Sequence, residues 1–223
     1  MKIKVIAAIA ALIVVIGGFF VYNTVLREPE QASGPVEAVP VSAGGDARTF
    51  QIVSEESEAR FIINEVLNGT PTTVVGVTKL VAGQIAIDPN DPSKSQIGVI
   101  QVNARDLTTD NSFRNRTIKN NILKTNQHEF VTFTPTAISG LPTSGQVGQT
   151  YNFQITGDLT IAGVTKSVTF EASVVAESEQ RVVGTAHTTV QYADFNITIP
   201  KVPQVASVDP DVRLEINFVA TPA

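Results

Sequence analysis

The sequence predicts an all-β domain of roughly eight antiparallel strands, closed into a barrel or a deep sandwich, with one short helix; three observations carry this. First, Tyr151, Phe153, Ile155, Leu159 and Ile161 fall on alternate positions with polar residues between them, the period of a half-buried strand. After Ala162-Gly163 the alternation resumes on Val164, Val168, Phe170, Ala172 and Val174, so a Gly-containing break joins two strands that can pair as a hairpin. Second, the other apolar runs are too short for helices and are separated by Gly, Pro, Asn and Asp. Third, helical spacing is found in a single stretch. Strands of about ten residues exceed the usual five or six, and a long twisted ribbon with one apolar face is what a barrel is made from.

Composition narrows the function. The 223 residues are 43% hydrophobic and 17% charged, enough for one domain over residues 49–223 with a substantial core. A net charge of -5, with no cluster of Lys and Arg, argues against a nucleic-acid partner. The absence of Cys excludes disulfides, thiolate metal sites and Cys nucleophiles.

Residues 1–26 read as a signal anchor. Lys2 and Lys4 flank Val5 to Val21, about 17 residues without a charge, longer than the usual core of a signal peptide and at the short end of what spans a bilayer. The positive flank orients the N-terminus inward, giving a single-pass protein of the cell membrane with its domain on the extracytoplasmic side. A cleaved secretory signal is the alternative and exports the same domain. No Cys follows the run, which excludes a lipoprotein anchor there. Residues 27–48 contain Pro29, Pro35, Pro40 and Gly44-Gly45 without apolar periodicity, the composition of a flexible linker.

In chain order, 59–64 and 73–77 read as strands about an Asn68-Gly69 turn, and 80–88 as a strand with a bend or bulge at Gly83. Residues 97–103 form the next. Between Thr109 and Lys124, Ile118 and Ile122 recur at helical spacing, predicting a short amphipathic helix capped by Thr109 or Asp110 and lying on the sheet or over an opening. Alternation returns at Val131 and Phe133, with Pro135 marking an edge or bulge. The hairpin at 151–176 follows, then 181–192, and last a strand in which Val212, Leu214, Ile216 and Phe218 alternate with polar residues.

No nucleophile elbow, S-x-x-K, H-E-x-x-H, P-loop or EF-hand pattern is present, so the sequence assigns no catalytic residue, no metal and no cofactor, and the expected protein is not an enzyme. His128 and His187 are the two histidines; zinc would need both together with a carboxylate such as Glu129.

Gly157-Asp158-Leu159-Thr160-Ile161-Ala162-Gly163-Val164-Thr165-Lys166-Ser167-Val168 is similar to the G-x-L-T-I-x-G-x-T-K-x-V signature of the YceI-like family of lipid-binding proteins. Ser57 to Phe61, Val75-Gly76, Val81 to Ile85, Leu107 to Asp110, Arg114-Asn115, Val131 to Phe133 and Asp194-Phe195 follow in the family's order, so the resemblance covers about residues 50–220. It implies a lipocalin-like, eight-stranded antiparallel barrel with a helix at one end and an apolar tunnel for a polyisoprenoid or similar amphiphile. Asn115 stands where the family commonly has Asp, Glu129 where it often has Pro, Tyr192 where an Arg is usual and Asn196 where Gly is common. The expected tunnel wall is Phe133, Tyr151, Phe153, Ile155, Leu159, Ile161, Val168, Phe170, Ala172, Leu214, Ile216 and Phe218, with Arg114 at the mouth. The expected partners are an apolar-chain lipid and, through the anchor, the membrane; the sequence leaves oligomeric state and ligand identity open. The alternative is a solid-core structural or adhesive module at the cell surface, with an exported hydrolase a third reading.

Overall fold

The computed structural model describes residues 27–42 and 44–223, so the anchor expected at 1–26 lies outside the described residues. Among the described residues no helix is long and apolar enough to cross a membrane.

Thirteen strands form one antiparallel sheet: β1 (Arg48–Ile52), β2 (Glu58–Leu67), β3 (Thr70–Thr78), β4 (Val81–Ala82), β5 (Gln84–Ile87), β6 (Gln96–Ile97), β7 (Ile100–Asn103), β8 (Phe130–Ser139), β9 (Thr150–Ile161), β10 (Val164–Ser178), β11 (Arg181–Gln191), β12 (Val205–Val208) and β13 (Asp211–Pro222). These lie on eight runs of chain, because β1–β2, β3–β5, β6–β7 and β12–β13 are each a single run with short interruptions. The sheet curls until its pairing returns on itself. Run 48–67 pairs with 70–87 on one side and with 205–222 on the other, and each of the remaining runs pairs with its chain neighbours. The backbone bridges several interruptions: Ile52 N–H donates to Gly83 O at 3.0 Å and Gly98 N–H to Gln84 O at 2.8 Å. Consequently little backbone is left unpaired.

The hairpin β9–β10 is regular along its whole length, from Ile161 opposite Val164 to Thr150 opposite Val175. Its two-residue turn puts Ala162 at φ 49° and Gly163 at φ 80°, both left-handed, the geometry whose twist matches that of the strands. Gly157 is required by close approach: a Cβ there would stand 2.5 Å from Thr134 O and 2.8 Å from Pro135 Cα. Pro135 behaves as its chemistry dictates. The β8–β9 register slips between Pro135 and Ala137, and β8 pairs with β7 only up to Phe133.

The helix α1 (Ser112–Thr117) continues into a wider turn over Ile118–Ile122, closed by Leu123 N–H donating to Ile118 O. Its cap is Asn111, whose side chain accepts from Arg114 N–H, rather than Thr109 or Asp110. Thr109 is engaged instead with Asn115, whose Oδ1 accepts from its N–H and its hydroxyl, each at 2.7 Å. An Asn at 115 thus supplies the acceptor a carboxylate would supply.

Residues 27–42 do not run free, despite their linker composition. Asn120 Nδ2 donates to Arg27 O, Arg116 pairs with Glu28 at 3.0 Å, Arg105 with Glu30 at 2.9 Å, and Ser33 N–H donates to Glu129 at 2.7 Å. Further on, Val41 N–H donates to Gln84 Oε1, and Val41 Cβ lies 3.3 Å from where a Cβ on Gly98 would be. This strap follows the outside of the barrel from α1 toward β1. Composition missed it because its hold comes from charge pairs and backbone groups that need no apolar period.

Candidate functional site

The inward face of the hairpin is the one that alternation predicts. Ile155, Leu159, Ile161 and Ala172 are buried there with Phe133, Ala186 and Phe195 in the largest apolar cluster. The rings of Phe133 and Phe170 meet edge-on with centroids 4.8 Å apart. Yet these side chains do not fill the barrel. A cavity of about 1130 Å³ runs its length, lined by Arg48, Val147 and Glu179 at one end and by Leu67, Phe113 and Pro203 at the other.

Phe133, Tyr151, Phe153, Ile155, Leu159, Ile161, Phe170, Ala172, Leu214, Ile216 and Phe218 all face this cavity, as does Arg114. Val168 does not, which corrects the expected wall. It shares the inward face but packs against the cluster containing Phe133 and Phe195. Its cross-strand partner is Gly157, and the space a side chain would take there is filled by the Phe133 ring.

The structure adds wall residues from the first half of the chain: Phe50, Phe61, Ile63, Val74 and Ile85. Periodicity did not single them out, because Ile62 interrupts the alternation in 59–64 and the valines of 73–77 fall on both faces. Phe61 had one signal, its position opposite Gly76, where the ring lies over the glycine. Ile118 and Ile122 line the cavity from the wider turn that follows α1, and Phe195 and Ile197 reach it from the loop after β11.

Of the seven charged side chains that line the cavity, six are ion-paired, and Asp88 instead accepts backbone N–H groups from Asn90 and Asp91. Arg114 bonds Glu65 at 2.8 Å and also pairs with Asp110; Arg60 bonds Glu215 at 2.8 Å; Arg48 bonds Glu179 at 3.1 Å. The Arg60 guanidinium beside Glu215 holds that carboxyl below its ordinary range, against burial, which opposes it. Glu129, on the outer side, shows the balance in reverse order of size: burial pushes its carboxyl up, but hydrogen bonds from Ser33 and Asn103 and the charge of Arg105 together bring it below the ordinary value. Among the described residues no group of three His, Asp or Glu side chains is placed to hold a metal ion.

An interior lined mostly by apolar side chains can shelter an apolar chain. The YceI-like domain model matches residues 50–220. Protein YceI of Shigella flexneri is 25% identical over 180 residues, covering 78% of this chain and 90% of the relative. UPF0312 protein ECA1782 of Pectobacterium atrosepticum is 28% identical over 139 residues, covering 60% of this chain and 68% of the relative. Among solved structures, BcnA of Burkholderia cenocepacia superposes with a TM-score of 0.62 at 18% identity, over 76% of this chain and 99% of its own. A polyisoprenoid binding domain from Saccharophagus degradans superposes with a TM-score of 0.58 at 12% identity, over 79% and 99%. At such identities the likeness is one of fold.

Proposed function

Because the chain belongs to the YceI-like family, we propose that it is a membrane-tethered, exported carrier holding one polyisoprenoid or similar amphiphilic lipid in the barrel cavity. The observation that carries this is the cavity. At about 1130 Å³ it exceeds the usual range of small-molecule pockets, about 300–1,000 Å³, in a barrel whose strand number suffices for either a filled core or one ligand. Packed interiors leave few spaces larger than a water, so a solid-core structural module is the poorer fit. Burial of apolar chain contributes about 0.8 kcal/mol per methylene, so a few isoprene units supply micromolar affinity after association costs. The polyisoprenoid binding described for the Saccharophagus domain supports the ligand class. No catalytic group or metal enters this reading.

The test is native mass spectrometry of the full chain purified in mild detergent, comparing wild type with Ala172→Trp. Ala172 is buried in the cluster and faces the cavity, so an indole there has space to enter. The expected outcome is a co-purifying lipid on wild type and none on a variant that melts within a few degrees of it. An unfolded variant, together with a wild type that never carries lipid, is the signature of a solid core and would end the carrier reading.

A further inference from the structure

The two ends of the barrel are closed by different means. At the α1 end the closing elements are tied by charge and by backbone. Arg114 bonds Glu65 at 2.8 Å, joining α1 to β2, and both side chains are largely buried. Asn68 N–H, at the tip of the β2–β3 hairpin, donates to Gln204 O at 2.7 Å ahead of β12. The opposite end is covered by two loops, 140–149 between β8 and β9 and 88–95 between β5 and β6. The first is longer than the about two to five residues usual for a hairpin loop, and it carries no charged side chain. Leu141, Gly145 and Val147 of this loop line the cavity, as do Pro89 and Pro92 of the other.

Little holds the loop 140–149 in place. Among the described residues, the hydrogen bonds that Leu141 to Val147 make outside their own segment end on Tyr151 and Gln149. Gln146 N–H donates to the Tyr151 hydroxyl at 2.6 Å, and that hydroxyl stands 3.2 Å from both Gln146 O and Gln149 Oε1. The tip rests on the second loop: a Cβ on Gly145 would lie 2.8 Å from Pro92 Cγ. Gly140 and Gly148, at φ 96° and 84°, bracket the segment with backbone that other residues rarely adopt. Val147 is 57% exposed while lining the cavity, so apolar surface already reaches solvent here. Phe113 is exposed at the α1 end, but on a helix anchored by Arg114. Neutral hydrogen bonds beside water exchange for water at small cost, whereas a largely buried ion pair resists being opened. Resting on the carrier reading above, we infer that lipid enters and leaves the cavity at the end opposite α1, rather than at Arg114. The loop 140–149 swings off Pro92 to open the cavity, and the Tyr151 hydroxyl is the latch that holds it closed.

The chain has no cysteine, so one disulfide can be placed to lock the loop. Pro92→Cys combined with Gly145→Cys brings two Cβ atoms to about the 3.5–4.5 Å that a disulfide spans. The full chain in mild detergent is loaded with deuterated geranylgeraniol and chased with the unlabelled form, and native mass spectrometry follows the exchange on the protein. The expected result is exchange many-fold slower in the oxidised pair than in the same protein reduced, and several-fold faster in Tyr151→Phe than in wild type. Exchange that is equal in the oxidised and reduced pair overturns the inference. So does failure of the pair to cross-link, since Pro92 and Gly145 then do not meet, and so does Glu65→Ala, which unties α1, speeding exchange more than Tyr151→Phe. The two proposals fail distinguishably. A wild type that takes up no geranylgeraniol ends the carrier reading and the entrance with it; a chain that binds it and exchanges it freely past the closed disulfide keeps the carrier and loses the entrance.

Discussion

The wall built by β8 to β11 and the wall built by β1 to β7 enclose the same cavity by different means. In the first, long strands run unbroken and one face of each is apolar, so β9 and β10 stay in register over their whole length. In the second, two runs of chain are interrupted repeatedly, at 53–57, 79–80 and 83, and a third at 98–99. Its closure relies on isolated backbone bonds such as Gly98 to Gln84, and the strap lies across the outside of the 98–99 gap. Glycine has a different meaning in each half. Gly157 faces neighbouring backbone that cannot yield, while Gly76 faces the ring of a wall residue with cavity beside it.

That contrast predicts unequal costs for the same chemical change. Gly157→Ala should have the largest effect, because its Cβ must displace Thr134 O and Pro135 Cα; a loss of about 3 kcal/mol by chemical denaturation is expected. Gly76→Ala meets Phe61 Cε1 at 2.1 Å, but the ring can swing into the cavity, so a loss of about 1 kcal/mol is expected. Comparable losses for the two would show that the broken half is as rigid as the regular one. Ala162→Asn sharpens the comparison from the other side. The turn of the regular hairpin holds an alanine at φ 49°, and Asn-Gly is the pair that such turns prefer, so a gain of about 0.5 kcal/mol should be read as a raised Tm.

The smallest expected effect on global stability concerns the strap. Glu129 has its carboxyl held below its ordinary value in the docked state, so docking is favoured in full above that ordinary value, 4.5, and weakens as pH falls through the lower docked value. Hydrogen exchange should show amides of residues 28–34 losing protection on acidification while β9 and β10 keep theirs. Glu129→Gln should remove this pH dependence. A strap whose protection is independent of pH in wild type would mean that Arg116 and Asn120 hold it without Glu129.

The sequence by itself determined the antiparallel β class, the hairpin, the face of β9 that turns inward, the break at Gly83 and the helical stretch around Ile118 and Ile122. Each rests on local periodicity or backbone chemistry, which a single strand or turn carries within itself. It also determined the signature through which the family is recognised. The tertiary structure decided what depends on residues far apart in the chain. That includes the return of the pairing from 205–222 to 48–67, the contribution of Phe50, Phe61 and Val74 to the wall, and the withdrawal of Val168 behind Phe133. It decided the course of the strap, whose partners lie 96 residues away in the case of Ser33 and Glu129. It decided, too, that the barrel is hollow, because alternation states which side chains face inward, and whether they meet across the interior depends on the curvature of the whole sheet.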